Sequence, residues 1–296
     1  MTIVQLEYLV ALSTYGSFSV AAEKCFVTQP SLSAQIKHLE EELGTILVVR
    51  SNKKTTLTPA GEQILQQARI ALSAFEKVKE RAKEIRHEVS GDLHLGIIPT
   101  IAPYLVHRIS EIFQQKYPQV NLYIYETITD DINSRILRNE FDAGILAEGF
   151  SPDHLQQTEL CRDPFFAYIP EGNDLCNLAE INISDIRPDK LLLLNEGHCL
   201  RKQIVSLCAT RLKEERMLKI ESGSIETLLR VTQSLKGVTI IPGITLPYLS
   251  EEQKKRVRPI LDEQAFRTLI LASNPYTAHP ALIEILKKEV KQLMDV

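Results

Sequence analysis

The sequence lacks any long uninterrupted apolar stretch, since no run of roughly eighteen apolar residues occurs, the length that a membrane-spanning helix requires. Residues 1–12 also lack the basic start and long apolar run of a secretory signal. The composition, 44% hydrophobic and 24% charged, is typical of soluble globular proteins. We therefore expect a cytoplasmic protein with no membrane partner.

The sequence also lacks a Cys-x-x-Cys pair, and its five cysteines are an odd number. Both features argue against a disulfide framework and a zinc site, so we expect no metal and no cofactor. In a reducing compartment any disulfide would be transient and regulatory. An excess of positive charge is absent too, because the net charge is -4. A nucleic-acid-binding surface must therefore be local.

A helix-turn-helix is predicted near the N-terminus. A first short helix spans residues 17–25, and a second starts at Thr28, a capping residue, with Pro30 in its first turn. Gly44 ends this second helix. Its inward positions recur at helical spacing at Leu32, Ile36, Leu39 and Leu43. With a preceding helix, these elements form a helix-turn-helix.

The outward face of the second helix carries short polar groups that can hydrogen-bond to bases or phosphates. A segment resembling a two-stranded wing follows at 47–50 and 55–57, and its cations suit phosphates. The candidate DNA-binding residues are Thr28, Gln29, Pro30, Ser31, Ser33, Gln35, Lys37, Arg50, Lys53 and Lys54. Because glutamates balance the charge, a small helical domain with a solvated face is the alternative.

Five ungapped motifs resemble the winged helix-turn-helix of LysR-type transcriptional regulators. They are GSF at 16–18, AAE at 21–23, VTQPSLS at 27–33, LEEELG at 39–44 and LTPAG at 57–61. The resemblance implies that double-stranded DNA and RNA polymerase are partners. Ala34 departs from the pattern, since many members have arginine there, so that DNA contact is not carried over.

A long helix is predicted from Thr58 to about His87. Its apolar positions alternate spacings of four and three, as in a short coiled coil, at Ile64, Ala68, Ala71, Phe75, Val78, Ala82 and Ile85. We expect two chains to pair here as a homodimer. Pairing would present two recognition helices to two DNA half-sites.

Residues 90–92 break this helix, and strands alternate with helices beyond them. The predicted strands are 93–98, 120–125, 142–146, 165–169, 191–194, 218–221, 238–241 and 266–272, and the predicted helices are 103–116, 132–139, one from residue 200, 225–235 and 281–294. This pattern indicates two parallel-sheet lobes. The fold class is therefore α/β: a winged helix-turn-helix and linker helix, then a two-lobed effector domain of the periplasmic-binding-protein type, as in LysR-type regulators. The predicted domains are 1–58, 59–89 and 90–296, with lobe I at 91–163 and 268–296 and lobe II at 164–267.

One short segment, Gly-His-Cys-Leu-Arg at 197–201, places a histidine and an arginine near the thiol of Cys199. Cys199 would lie at a helix N-terminus beside Arg201 and a protonated His198, where the helix dipole and neighbouring charge favour the thiolate. Cys208 would lie on the apolar face of the same helix. Nine residues of helix rise about 13 Å, whereas a disulfide needs Cα atoms within roughly 7 Å. The alternative is that Cys208 is a small core residue and Cys199 an incidental neighbour of the cap.

The same segment is similar to the peroxide-sensing members of the LysR family, which implies that Cys199 is the peroxidatic thiol and Cys208 the resolving thiol. Thr100, Thr129 and Arg267 also match positions around the peroxidatic cysteine of those members. The implied roles are that Thr100 and Thr129 orient peroxide, His198 accepts or relays a proton, and Arg267 stabilises the thiolate and polarises the leaving oxygen. Each has an alternative: Thr100 and Thr129 as helix caps, and Arg267 on a solvated strand edge.

The resemblance implies a regulator that senses hydrogen peroxide through a reversible disulfide and activates antioxidant genes. It also implies a homotetramer and reduction by glutaredoxin or thioredoxin. Two alternatives remain: a LysR-type regulator of a small organic effector, and a thiol peroxidase, although an N-terminal DNA-binding domain argues against an enzyme. Cys25 is interpreted as packing, and Cys161 and Cys176 as packing or as minor oxidation sites.

Overall fold

The computed structural model describes residues 1–49, 55–85, 89–195, 197–208, 224–277 and 279–294. Residues 1–88 and 276–278 make up one compact unit, and residues 89–275 and 279–296 make up the other. Among the described helices, none is both long enough and apolar enough to cross a lipid bilayer.

The first unit is a winged helix-turn-helix followed by one long helix. Its elements are α1 (Ile3–Tyr15), α2 (Phe18–Lys24), α3 (Gln29–Leu43), β1 (Val48–Val49), β2 (Thr56–Leu57) and α4 (Pro59–Ile85). The strands β1 and β2 pair antiparallel as the wing. Leu9, Leu32 and Ile36 are fully buried in a cluster that unites α1, α2 and α3 with the start of α4. The predicted helix-turn-helix and wing are confirmed.

Local signals set the ends of the recognition helix α3. The Thr28 side chain accepts a hydrogen bond from the Ser31 backbone N–H, and Gly44 closes the helix in the left-handed region, with φ 63°. Gly61 is required because the backbone of Leu47 lies very close to it. A Cβ at this position would lie 2.1 Å from the Leu47 carbonyl oxygen. Gly61 therefore lets α4 pack directly against the strand region of the wing.

The linker helix α4 changes environment along its length. Leu65 and Ala68 are buried in the first unit's cluster, whereas Phe75 is 43% exposed and Val78 is 70% exposed. The apolar positions of the predicted coiled coil, here called the α4 seam, are therefore buried in the chain's own core at the start of α4 and exposed at Phe75 and Val78. Residues 86–88, where the helix was predicted to end, lie outside the described residues, as does the Ile85 side chain.

The second unit is a mixed α/β domain. Its described α-helices are α5 (Ala102–Lys116), α6 (Thr129–Leu137), α7 (Cys199–Leu207), α8 (Ile225–Leu235), α9 (Glu251–Lys254) and α10 (Pro280–Met294). Its described strands are β3 (Gly91–Ile97), β4 (Val120–Glu126), β5 (Ala143–Ala147), β6 (Gln156–Tyr168), β7 (Thr239–Pro242), β8 (Val257–Pro259) and β9 (Phe266–Ser273). They follow the order β4-β3-β5-β9-β6-β7, with β8 also paired to β6.

The strand pairing corrects the prediction of two parallel sheets. β3 pairs parallel with β4 and β5, but β9 pairs antiparallel with β5 and β6, and β7 and β8 pair antiparallel with β6. The prediction failed because it included only the end of β6, a strand of 13 residues to which β7, β8 and β9 all pair. Its first half mixes charged and apolar residues without alternation, so no strand signal is present there. The predicted strand 191–194 is wrong, since only Leu191 bridges, to Val238; residues 218–221 lie outside the described residues.

Two hydrophobic clusters form the core of the second unit. Cluster I is built on β3, β5 and β9 with α5, α6 and α10, and cluster II on the end of β6, β7, α7 and α8. β6 contributes to both, through Leu160 in cluster I and Phe165 in cluster II. The predicted lobe boundaries, 163/164 and 267/268, fall inside the paired strands β6 and β9.

Candidate redox site

Both thiols of the predicted pair mark the ends of α7. Cys199 is its first residue and Cys208 its C-cap. Cys199 is 4% exposed and Cys208 is 7% exposed. The predicted inward face is present, because Leu200 and Ile204 are buried together with Cys208.

The two thiols belong to different hydrophobic clusters. Cys199 packs in cluster I, whereas Cys208 packs in cluster II with Leu200 and Ile204. Nine residues of helix place their Cα atoms about 13 Å apart, about twice the span that a disulfide tolerates. Both cysteines are free thiols. Burial raises the pKa of the Cys208 thiol, so Cys208 is protonated near neutral pH while the helix is intact.

His198 is the N-cap of α7, but its side chain makes no capping hydrogen bond. The residue is buried, and this burial lowers the pKa of the imidazole. His198 is therefore neutral near pH 7, so the predicted positive charge beside the thiol is wrong for this residue; desolvation penalises the charged form. A neutral imidazole retains the capacity to accept a proton. Arg201 donates from Nη1 to the Leu194 carbonyl at 3.1 Å.

Arg267, Asp163 and Thr100 form one buried hydrogen-bonded group. Arg267 on β9 donates from Nε to Asp163 Oδ2 at 2.9 Å, and from Nη1 to Thr100 Oγ1 at 2.9 Å. Its side chain is fully buried and Asp163 is 4% exposed. The carboxylate therefore compensates the charge of the buried guanidinium. Since the Thr100 oxygen accepts from Arg267, its O–H remains able to donate to a bound molecule.

Thr129 lies at the same sheet edge as Thr100. Thr100 follows β3 and Thr129 follows β4, neighbouring parallel strands whose ends pair at Ile97 and Glu126. The Thr129 side chain is buried, and its Oγ1 has no hydrogen-bond partner among the described residues. An unpaired buried hydroxyl costs free energy, which a bound polar molecule would recover.

The structure rejects three alternative interpretations of these residues. Thr100 does not cap α5, because the N-cap is Ile101 and no side chain caps that helix. Thr129 does not cap α6, whose N-cap is Ile128, also without a side-chain cap. Arg267 does not lie on a solvated strand edge, since β9 is paired on both sides and the residue is 1% exposed.

Two residues of this region were missed by sequence reasoning. Asp163 is 104 positions from its partner Arg267, and no local pattern links them. Asn133 is one helical turn after Thr129, so both lie on one face of α6. Asn133 donates from Nδ2 to the Phe150 carbonyl at 2.7 Å, while its Oδ1 is buried without a partner among the described residues. The spacing of four from Thr129 was the signal that could have found Asn133.

The recognition helix presents most of the predicted DNA-contacting side chains to solvent. Thr28, Gln29, Pro30, Ser31, Gln35 and Lys37 are exposed, and Ser33 is half-buried. Two of them have partners within the chain: Gln35 accepts from Gln5 at 3.1 Å, and Lys37 pairs with Glu41 at 3.4 Å. The wing residues Arg50, Lys53 and Lys54 lie outside the described residues.

The remaining cysteines are half-buried, and none of them forms a disulfide with another described residue. Cys25 packs at the edge of the first unit's cluster, and burial, with Glu7 nearby, raises the pKa of its thiol. Cys161 Sγ lies 3.5 Å from Met294 Sδ, and Cys176 Sγ lies 3.7 Å from Asn177 Oδ1. In the described part of the chain, no group of three or more His, Cys, Asp or Glu side chains is arranged to bind a metal.

Comparison with known proteins agrees with this architecture. Residues 3–62 match the bacterial regulatory helix-turn-helix family of the LysR type, and residues 86–295 match the LysR substrate binding domain. The chain belongs to the LysR family of bacterial regulators. It is a DNA-binding transcriptional regulator rather than an enzyme.

Within that family, the chain is similar to OxyR proteins. It is 32% identical to the hydrogen peroxide-inducible genes activator of Pectobacterium carotovorum, over 99% of this chain and 97% of the relative. It is also 32% identical to the DNA-binding transcriptional dual regulator OxyR of Escherichia coli, over 100% of this chain and 96% of the relative. Among solved structures, full-length OxyR of Pseudomonas aeruginosa with a cysteine-to-aspartate substitution superposes with a TM-score of 0.82 at 31% identity, covering 98% and 95% of the two chains.

Proposed function

We propose that this regulator senses hydrogen peroxide through a reversible disulfide between Cys199 and Cys208 and activates antioxidant genes. The single observation that carries the proposal is the position of the two thiols. They lie at opposite ends of one helix and in different hydrophobic clusters. The relative named as a hydrogen peroxide-inducible genes activator supports the choice of signal.

The first step is oxidation of Cys199. Its thiolate sulfur attacks one oxygen of hydrogen peroxide, the O–O bond breaks, and the products are a sulfenic acid and hydroxide, which takes up a proton to form water. Neutral His198 accepts the thiol proton and passes it to the leaving oxygen. The hydroxyls of Thr100 and Thr129 orient the peroxide, and Arg267, held by Asp163, fixes Thr100.

The second step couples chemistry to structure. Cys208 loses its proton and attacks the Cys199 sulfenic sulfur, so that a disulfide forms and water leaves. Because about 13 Å of helix separates the two positions, α7 has to unwind first. Unwinding also removes Leu200, Ile204 and Cys208 from cluster II. Sulfur oxidation thereby becomes a change in packing that other parts of an assembly can detect.

The partners follow from this scheme and from the exposed apolar side chains Phe75 and Val78 of α4. Two chains pair along the α4 seam and assemble further as a homotetramer, which places recognition helices on adjacent half-sites. The refolded segment alters contacts between subunits and hence the contact with RNA polymerase. A dithiol reductant of the glutaredoxin or thioredoxin class restores both thiols.

A footprint on the protein's own promoter tests the proposal. Purified reduced protein and peroxide-treated protein are compared on the same DNA, alongside Cys199→Ser and Cys208→Ser. We expect the footprint of the wild-type protein to shift on peroxide treatment and that of Cys199→Ser to stay in place. Cys176→Ser, a half-buried thiol elsewhere, is the matched control and should shift like the wild type.

Other outcomes would favour other functions. A footprint that responds to a small organic acid and ignores peroxide indicates an organic-effector regulator. An intramolecular disulfide that still forms in Cys208→Ser contradicts the assignment of the resolving thiol. Catalytic peroxide turnover with no effect on DNA binding would indicate a thiol peroxidase.

A further inference from the structure

The side chain of Gln5 connects α1 to the recognition helix α3. Gln5 is 3% exposed, and its Oε1 accepts from the Thr2 backbone N–H at 2.8 Å. Its Nε2 lies 3.1 Å from Gln35 Oε1 and 3.2 Å from His38 Nδ1. Gln35 and His38 are both exposed, and residues three apart on a helix are surface neighbours. One buried amide therefore contacts two exposed side chains of the recognition helix.

The direction of each hydrogen bond in this group is determined by its first member. A backbone N–H can only donate, so the amide atom of Gln5 that faces the Thr2 N–H is the oxygen. The other amide atom, Nε2, carries two N–H groups and can only donate. Its two partners must therefore accept, which turns Oε1 of Gln35 toward Gln5 and leaves Nδ1 of His38 without a proton.

We propose that Gln5 is a positioning residue for DNA recognition, which holds Gln35 and His38 so that both present N–H donors to DNA. Gln35 keeps its two N–H groups for this purpose, and neutral His38 carries its proton on Nε2. Gln5 acts through these two residues, because its own side chain is buried. Binding of DNA by the reduced protein does not require oxidation of Cys199, so the proposal is independent of peroxide sensing.

Two neighbouring donors select hydrogen-bond acceptors on the DNA. In the major groove, guanine offers two acceptors, N7 and O6. The backbone offers the oxygens of its phosphates. A glutamine that binds adenine through two hydrogen bonds must instead direct its amide oxygen at the adenine N6 group, and the oxygen of Gln35 is directed at Gln5.

Interference footprinting of the reduced full-length protein on its own promoter identifies the acceptor. One arm methylates guanine N7 with dimethyl sulfate, and the other arm ethylates phosphates. We expect a modified position that blocks binding of the wild type but has no effect on Gln35→Met or His38→Phe, which lack the donors. Such a position assigns a guanine contact in the first arm and a phosphate contact in the second. If both variants keep every position of the wild type in both arms, the proposal is overturned.

Combined variants distinguish positioning from a general effect on packing. Gln5→Met keeps a buried side chain of similar length and should weaken promoter binding about tenfold. In the background Gln35→Met/His38→Phe, the same substitution should change binding less than about twofold, since the residues through which it acts are already absent. An undiminished effect in that background would show that Gln5 acts through packing alone and would overturn the proposal.

A matched control removes a different hydrogen bond of α1. The exposed Thr14 hydroxyl donates to the Val10 carbonyl at 2.9 Å within the same helix. Thr14→Val should therefore bind the promoter like the wild type. Weakening equal to that of Gln5→Met would mean that any lost hydrogen bond in α1 impairs binding, and this result would also overturn the proposal.

The protonated nitrogen of His38 gives a readout that stability does not move. Long-range ¹H–¹⁵N spectra of the histidine-labelled full-length protein are recorded at about pH 8, where free histidine is neutral, and His38→Phe identifies the signal. We expect a proton on Nε2 and none on Nδ1 in the wild type. The ionised carboxylate of Gln5→Glu still accepts from Thr2 but cannot donate, so His38 should gain a proton on Nδ1. A wild-type His38 protonated on Nδ1, or no change in Gln5→Glu, would overturn the proposal.

Discussion

Cys199 and Cys208 lie at the two ends of α7 and are packed into two different hydrophobic clusters. The helix that separates them is only 9 residues long, short enough to be marginal without tertiary packing. The same element therefore keeps the thiols apart when folded and lets them meet when unwound. The stability of α7 should set how fast the disulfide forms.

Helix propensity at Ser206 tests this idea directly. Ser206 is exposed in the last turn of α7, so substitution there leaves the two clusters intact. Glycine and alanine differ by about 1 kcal/mol in helix propensity, equivalent to roughly fivefold in an unwinding equilibrium. After a peroxide pulse, Ser206→Gly should form the disulfide about fivefold faster than Ser206→Ala, as followed by quenched alkylation and mass spectrometry. Equal rates would mean that unwinding does not limit the reaction.

Asp163→Asn should strongly destabilise the second unit. It leaves the fully buried Arg267 without its counter-charge, a change that costs about 3–5 kcal/mol. The measurement is the urea unfolding midpoint of the full-length protein. Asp189→Asn removes a carboxylate from an exposed pair with Arg187 at 2.8 Å and should leave the midpoint nearly unchanged, because water screens an exposed ion pair. A similar loss in both variants would show that burial of the Arg267 pair is not the cause.

His198 should make stability depend on pH. Burial lowers its pKa in the folded protein, so the unfolded chain binds the proton more readily. Its contribution is fully present above the unfolded pKa of about 6.5 and is lost as pH falls toward the folded pKa. Relative to His198→Gln, the wild type should lose stability as pH falls below about 6.5, as measured by urea unfolding. A parallel decline in both proteins would assign the effect to other groups.

Phe26→Asn should stabilise the helix-turn-helix. Phe26 has φ 57° in the turn between α2 and α3 and is 96% exposed, so the turn bears left-handed strain without gaining burial. Asparagine tolerates this conformation better, and a gain of about 0.5–1 kcal/mol is expected in thermal unfolding. Ile46→Asn replaces an apolar residue that is 69% exposed and has no positive φ. It should give no comparable gain.

Val78→Asp should weaken the proposed dimer. Val78 is 70% exposed on the α4 seam, and a charge placed there would be buried against a second helix. We expect the dimer dissociation constant in sedimentation velocity to rise about tenfold or more. Gln67→Asp, on an exposed position of the same helix, should leave it unchanged. No change in either variant would contradict pairing through this seam.

Local sequence signals determined much of the fold. The caps at Thr28 and Gly44 and the heptad-like spacing of α4 act within a few residues, so the recognition helix and linker were predictable. The same holds for α7, whose apolar spacing from Leu200 to Cys208 indicated the buried face. Most element boundaries in the second unit also follow local periodicity. The full length of β6 does not, because its first half has no alternating pattern.

Only the tertiary structure decided the environment of the candidate site. Asp163 lies opposite Arg267 because β6 and β9 pair antiparallel across 104 positions of sequence, and no local pattern specifies that register. The neutral state of His198 follows from burial by distant residues, and desolvation depends on the whole fold. The sequence by itself determined that two thiols flank one helix. The tertiary structure decided that they pack in separate clusters, because packing partners come from strands far away in the chain.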